Sequence, residues 1–260
     1  MSELLVLYEL KNAAAILTLN RADKRNALSR ALIEAISSAF TRAKNDAAAR
    51  CVILNAAGSV FCAGMDLAEL QASLDIPKDQ SPIWDDAFRL ASLYDQIYAC
   101  PKPTIAAVQG AAVAGGAGLV TVCDFAVSVP EAKFGYPEVR RGLVAAMVMP
   151  HLMRHVGERM ARFLLISGEL IDAARAVQCG LLNEVVPADR LLSRAQELAK
   201  ACAEGGPNAL AKTKEYLHQF SHQAVSMEDA AKASAAPRLT QECQEGLRAF
   251  FAKKAPPWIS

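Results

Sequence analysis

PTIAAVQGAAVAGGAGLVTVCD, residues 103–124, is the stretch on which the reading of the whole chain turns. Ile105–Val108 is a short apolar run that predicts a strand, and Gln109–Gly110 breaks it. The small-residue segment that follows predicts an apolar helix opened by Gly115–Gly116 and ending near Cys123. A strand that feeds directly into a helix N-terminus leaves several backbone N–H groups without intrahelical partners, pointing at one spot. Glycine there admits a ligand close to the backbone. The spot favours negative charge, whether permanent or developing during a reaction.

A second corner of this kind lies upstream. Val60–Leu67, VFCAGMDL, leads from a turn at 56–59 into a helix running from Asp66 to about Ala72. If the two strands lie side by side, the corners Ala63–Gly64–Met65–Asp66 and Ala114–Gly115–Gly116 can each direct an amide at one oxygen, as in an oxyanion hole. Taken singly, each glycine is also accounted for by a tight turn or by close helix packing.

Further out, Leu4–Leu10 and Ala13–Leu19 predict a hairpin turning at Lys11–Asn12. Ser29 is the expected N-cap of a helix with Leu32, Ala35, Ile36, Ala39 and Phe40 on its apolar face. Cys51–Asn55 predicts a strand, residues 73–82 a loop, and Trp84–Tyr98 a helix facing the core through Phe88, Ala91, Leu93, Tyr94 and Ile97. Phe125–Val129, Ala132–Phe134 and Leu182–Val186 read as extended, and Ala145–Val156, Glu158–Ile166 and Asp172–Gln178 as helical. From Ala188 onward the pattern is helical, with breaks at Gly205–Gly206–Pro207 and near Ala236–Pro237. Alternating strands and helices argue for an α/β class with parallel strand pairs. No internal sequence repeat stands out.

The bulk properties narrow the function. A chain of 260 residues, 53% hydrophobic and 21% charged, can bury a large core, as one domain or as a domain with a helical appendage. A net charge of +1 argues against charge-driven nucleic-acid binding. The chain has no run of eighteen apolar residues, so a membrane span is not expected. The N-terminal MSELLVLYELK lacks the basic and apolar regions of a signal peptide, and the cytoplasm is the expected compartment. Seven cysteines without C-x-x-C suit a reducing environment and mostly buried thiols.

Several chemistries fail on spacing. Gly115, Gly116 and Gly118 do not make the dinucleotide fingerprint G-x-G-x-x-G, and no Gly-Lys-Ser/Thr follows for a phosphate loop. No G-x-S-x-G supplies a nucleophile elbow. His151 and His155 stand four apart, but no H-E-x-x-H surrounds them, so two partly exposed histidines are expected and no metal. Glu138 follows Pro137 in the motif FGYPE. In an apolar pocket its pKa would rise and suit it to acid–base work near neutrality. On the surface it would pair with Arg140 or Arg141.

FCAGMDL, PTIAAVQG with AGGAGL, CDFAV, FGYPEV and the pattern G-E-x-I-D-A-x-x-A-x-x-x-G-L-L together resemble the crotonase superfamily, the enoyl-CoA hydratases and isomerases, over essentially the whole chain. The resemblance implies a crotonase-like (ββα)n spiral core over residues 1–190. Residues 191–260 would form a helical region serving oligomerisation and pocket cover. It places the two oxyanion-hole amides on Met65 and Gly115, with Glu138 as an acid–base carboxylate. The backbone of Ala63, Gly64, Asp66 and Leu67 would meet the adenine part of coenzyme A, and Lys24 its phosphates. Phe250 and Lys253 would reach coenzyme A from the tail, which reads equally as an amphipathic helix capping a core. Asp66 alone reads as an N-cap for the helix beginning at Leu67.

The family's second glutamate would fall on position 118, and this chain has Gly118 there. Two carboxylates position and split one water, whereas a double-bond shift can be run by one base moving one proton. The expectation is therefore 3-enoyl to 2-enoyl-CoA isomerisation slightly ahead of hydration by an enoyl-CoA or methylglutaconyl-CoA type hydratase. A non-catalytic acyl-CoA-binding member is the reading from another class. Coenzyme A would be part of the substrate, with no separate cofactor, and the assembly a homotrimer or dimer of trimers. The acyl pocket is expected to be framed by Trp84, Phe88 and residues 73–82, with Ala145–Met149 opposite and Met147 and Met149 as an adaptable wall.

Overall fold

A computed structural model describes residues 4–72, 83–222, 241, 242, 245, 249 and 252–258. Strands β1 (Val6–Lys11) and β2 (Ala14–Leu19) form the expected hairpin, paired antiparallel from Val6 opposite Leu19 to Lys11 opposite Ala14. Its turn falls at Asn12–Ala13, one residue later than the sequence indicated, and both residues are left-handed, with φ of 50° and 60°. That is the turn whose twist matches a hairpin, here built without glycine.

β2 is followed by a 3-10 turn at Ala22–Lys24 and by helix α1 (Arg30–Asn45), capped by Ser29, whose Oγ accepts from Leu32 N at 3.2 Å. The chain then lays down strands in pairs: β3 (Cys51–Ala56) and β4 (Val60–Cys62), β5 (Thr104–Val108) and β6 (Ala111–Val113), β7 (Phe125–Ser128) and β8 (Lys133–Gly135). Between the pairs come α2 (Leu67–Ala72) with α3 (Ile83–Tyr98), and then α4 (Gly115–Thr121). The first member of each pair joins one sheet and the second joins another. The larger sheet runs β1-β2-β3-β5-β7-β10 and the smaller β4-β6-β8-β9, where β9 is Ile171–Asp172 and β10 is Glu184–Val185. The β2-β3-β5-β7-β10 pairings are parallel, as are β4-β6-β8. This is a spiral of ββα turns, a structural repeat that leaves no trace in the residues.

Parallel strands buried on both faces read as continuous apolar runs, and β5, TIAAV, is buried at every position. Helix α7 (Leu191–Ala203) covers β3, β5 and β7 with Leu191, Ala195 and Ala199. On α8 (Pro207–His222), Lys214 pairs with Asp124, whose carboxylate also accepts the Thr104 amide at 2.7 Å and its hydroxyl at 2.9 Å. Cys51, Cys62, Cys100 and Cys123 are buried. Burial pushes the thiols of Cys62 and Cys123 up to about 12.

Two readings of the helices change. The core-facing side of α3 is Leu90, Leu93, Tyr94 and Ile97, while Phe88 is 65% exposed and Ala91 half-buried. The two helices expected from 145 to 166 form a 3-10 turn at Ala146–Val148, then α5 (Met149–Arg162) bent at Gly157, and a π turn at Phe163–Ser167. Helix α6 (Ala173–Gln178) is capped by Asp172, whose Oδ1 accepts from Arg175 N at 2.8 Å. The expected loop at 73–82 lies outside the described residues.

Candidate active site

Strands β4 and β6 are parallel neighbours, with Val60 opposite Ala111 and Cys62 opposite Ala112. The two glycine corners therefore leave the same sheet side by side. Their approach depends on Gly64, at φ +87°, because a Cβ there would fall 2.8 Å from the Ala114 Cβ and 3.3 Å from the Gly115 nitrogen. Leu28 locks the first corner: its N–H donates to the Gly64 carbonyl at 2.8 Å, and its carbonyl accepts from Asp66 N–H at 3.1 Å. This bridge uses the groups on either side of Met65 and leaves Met65's own N–H on the opposite edge.

At the second corner Gly115 opens α4, so its N–H is one of the helix's unpaired donors. The preceding Ala114 has φ 53° and ψ −126°, a conformation that costs a non-glycine residue about 1–3 kcal/mol. Its ψ sets the plane of the peptide that carries the Gly115 N–H, and its own N–H is fixed to the Gly135 carbonyl at 2.9 Å.

Met65, Gly115 and Glu138 line one cavity of about 300 Å³. Ala63, Leu67 and Leu70 extend the first corner, Ala87, Leu90 and Tyr94 of α3 form one wall, and Leu143, Val144, Ala145, Met147 and Val148 form another. The expected wall near 145–149 is thus present, although Met149 does not line it, and α3 contributes Leu90 and Tyr94 in place of Phe88.

Glu138 sits in a 3-10 turn, Pro137–Arg141, started by the fixed φ of Pro137. Its Oε2 is buried without a hydrogen-bond partner among the described residues. Arg140 turns away to the Ser167 carbonyl at 3.4 Å, and Arg141 lies at the cavity, so the surface ion pair is not formed. Burial raises the Glu138 pKa, against smaller downward pulls from its own backbone amide and the Arg141 charge. Among the described residues two other carboxylates reach the cavity, and both are engaged. Glu69 accepts the Arg30 amide at 2.9 Å, and Asp86 holds the Arg30 guanidinium through both oxygens, at 2.6 and 2.7 Å.

The remaining expected site residues that are described lie outside the cavity lining. Asp66 caps α2: its Oδ1 accepts from Ala68 N at 2.9 Å, and its Oδ2 takes Arg21 at 2.6 Å. Burial pulls its pKa upward, but the Arg21 bond and the helix amides outweigh that and hold it below the usual carboxylate range. Lys24 is exposed on the loop whose Arg25 carbonyl accepts the Ala63 amide at 3.1 Å, which places it beside the first corner. Gly118 is buried within α4. Lys253 is exposed, and Phe250 lies outside the described residues. His151 is buried, with its ring 4.6 Å from that of Tyr98, and His155 places Nε2 2.9 Å from the Thr121 carbonyl. The expected pair of partly exposed histidines is corrected at His151.

Two residues hold the site in ways the sequence did not show: Asn26 was not singled out, and Tyr94 was read only as a core residue. Asn26, left-handed and fully buried, accepts the Arg21 amide at 2.9 Å and donates to the carbonyls of Ala57 and Val60 at 2.9 and 2.8 Å. Tyr94 donates its hydroxyl to the Gly115 carbonyl at 2.8 Å. An asparagine ending a polar turn before a helix is the one signal that could have pointed to Asn26.

This spiral of ββα turns is the crotonase fold. The chain belongs to the enoyl-CoA hydratase/isomerase family, whose model matches residues 9–260. A mevalonyl-coenzyme A hydratase of Aspergillus fumigatus is 35% identical over 249 residues, covering 94% of this chain and 90% of that protein. A 2,3-dehydroadipyl-CoA hydratase of Escherichia coli is 34% identical over 259 residues, covering 98% of each. The crystal structure of an enoyl-CoA hydratase from Shewanella pealeana superposes with a TM-score of 0.92 at 30% identity, over 98% of this chain and 96% of that one.

Proposed function

We propose that this enzyme takes an acyl-CoA thioester whose carbonyl oxygen gains charge between the amides of Met65 and Gly115, while Glu138 moves the proton. The observation that carries this reading is the buried, unpartnered Oε2 of Glu138 in a mainly apolar cavity shared with both corners. Burial that outweighs the pull of Arg141 makes the Glu138 carboxylate a stronger base than one in solution. Two amides fixed by the fold before substrate arrives favour the enolate over the neutral ester.

Migration of a double bond from the 3- to the 2-position is the reaction favoured by a single available carboxylate. Glu138 takes a proton from the α-carbon, and the freed electron pair spreads into the thioester as a dienolate. The same carboxyl then returns the proton to the γ-carbon, so no atom is gained or lost. Hydration is the second reading, supported by the hydratase names of the relatives. Coenzyme A enters as part of the substrate and no separate cofactor is invoked. The backbone of Ala63, Gly64, Asp66 and Leu67 would meet its adenine end and Lys24 its phosphates, with Phe250 and Lys253 reaching it from the tail. The working assembly would be a homotrimer or a dimer of trimers.

The test is turnover of a 3-enoyl-CoA for isomerisation and of a 2-enoyl-CoA for water addition, by wild type and Glu138→Gln. The variant should bind the ester as wild type does and lose most turnover. Undiminished turnover would remove Glu138 from the mechanism.

A further inference from the structure

We propose that Tyr94 is a positioning residue that takes the space of any side chain at position 118 and, through its hydroxyl, holds the amide of Gly115 in place. The inference rests on the functional reading above and says why the site would work with one carboxylate.

The first observation is steric. A Cβ added to Gly118 would collide with the Tyr94 hydroxyl, and it would lie 2.6 Å from the ring carbon bearing that hydroxyl and 2.8 Å from Val148 Cγ1. Tyr94 and Val148 line the cavity and Gly118 does not, so the phenol and the valine stand between position 118 and the substrate space. Tyr94 has little freedom to retreat, being 2% exposed and tied by its hydroxyl. A glutamate at 118 is therefore excluded by a side chain from a different helix, 24 residues earlier in the chain.

The second observation is the bond itself. Ala114 fixes the plane that carries the Gly115 N–H, and the Tyr94 hydroxyl, 2.8 Å from the Gly115 carbonyl, fixes the plane that follows. Gly115 is thus clamped from both sides despite having no side chain. Burial, aided by the nearby Glu138 carboxylate, keeps the phenol proton on well past the ordinary tyrosine range. Tyr94 is therefore a neutral donor committed to the backbone. It can stiffen the oxyanion donor but cannot accept a proton from water in place of a carboxylate.

Wild type is assayed first on both enoyl esters, and failure there counts against the functional reading alone. Tyr94→Phe keeps the ring and loses the bond. Its turnover should fall about 10-fold to 10²-fold with KM within about twofold of wild type, because the donor acts on developing charge. Bound acetoacetyl-CoA, whose enolate absorbs in the near ultraviolet, should show a weaker enolate band in this variant. Unchanged turnover and an unchanged band would overturn the positioning role. The steric half is tested by thermal melts and needs no turnover. Gly118→Glu should melt lower than wild type, and adding Tyr94→Ala should recover part of that loss rather than add to it. Simple additivity would overturn the exclusion. Where Tyr94→Ala/Gly118→Glu folds, its ratio of hydration to isomerisation should rise at least about 10-fold. An unchanged ratio would show that Tyr94 does not set the reaction.

Discussion

At Glu138 the needs of folding and of proton transfer pull in opposite directions. Burial outweighs the pull of the Glu138 backbone amide and of Arg141, so the folded pKa lies above that of an ordinary glutamate. Between those two values the native state binds more protons than the unfolded chain. The stability this group contributes is complete below the ordinary value and is lost as pH rises through the folded one. Glu138→Gln should therefore raise the melting temperature at neutral pH while lowering turnover about 10²- to 10⁴-fold. Calorimetry and the enoyl-CoA assays read the two effects separately. Wild-type isomerisation, which needs the carboxylate, should switch on with rising pH at a midpoint above that of a solvated glutamate, and a midpoint at about 4.3 would contradict the desolvated base. Asn26 carries no chemistry, yet it ties the loop of Lys24 to the start of β4. Asn26→Ala strands two carbonyls and an amide and should cost about 2–4 kcal/mol in denaturant unfolding.

The elements differ in how plainly the sequence announces them. Ser29→Ala should cost about 1 kcal/mol, measured by urea unfolding, because the Leu32 amide loses its acceptor. Ala13→Gly should stabilise the hairpin by up to about 1 kcal/mol, since alanine is held there at φ 60°. The capped helix α1 and the runs β2, β3 and β5 were legible because side-chain burial alone dictates their patterns. The strands β4, β6 and β9 were not. Two or three residues such as Ala111–Val113 carry no alternation, and what makes them strands is the neighbour they pair with. The face of α3 was misjudged at one aromatic: Phe88 drew the stripe toward itself, whereas the period through Leu90, Leu93, Tyr94 and Ile97 is the buried one. At the site, both glycine corners were visible as breaks between apolar runs. The emptiness around the Glu138 oxygen and the Tyr94–Gly115 bond were not, because they arise from contacts between distant segments.

At the scale of the molecule, several large apolar side chains stay exposed, among them Val144 at 73% and Ile166 at 66%. The proposed trimer or dimer of trimers should give three or six times the 27.8 kDa chain mass in light scattering, and the mass of one chain would refute it. The four thiols buried among the described residues have a separate use. Cys51 begins β3, Cys62 ends β4 at the first corner, Cys100 follows α3 and Cys123 follows α4. A thiol reagent reaches each only when the element above it opens, and local openings span energies from near zero to that of global unfolding. Their labelling half-lives form four clocks already written into the chain. Read before and after ligand is added, the Cys62 clock would time the breathing of the oxyanion corner against that of the sheet behind it.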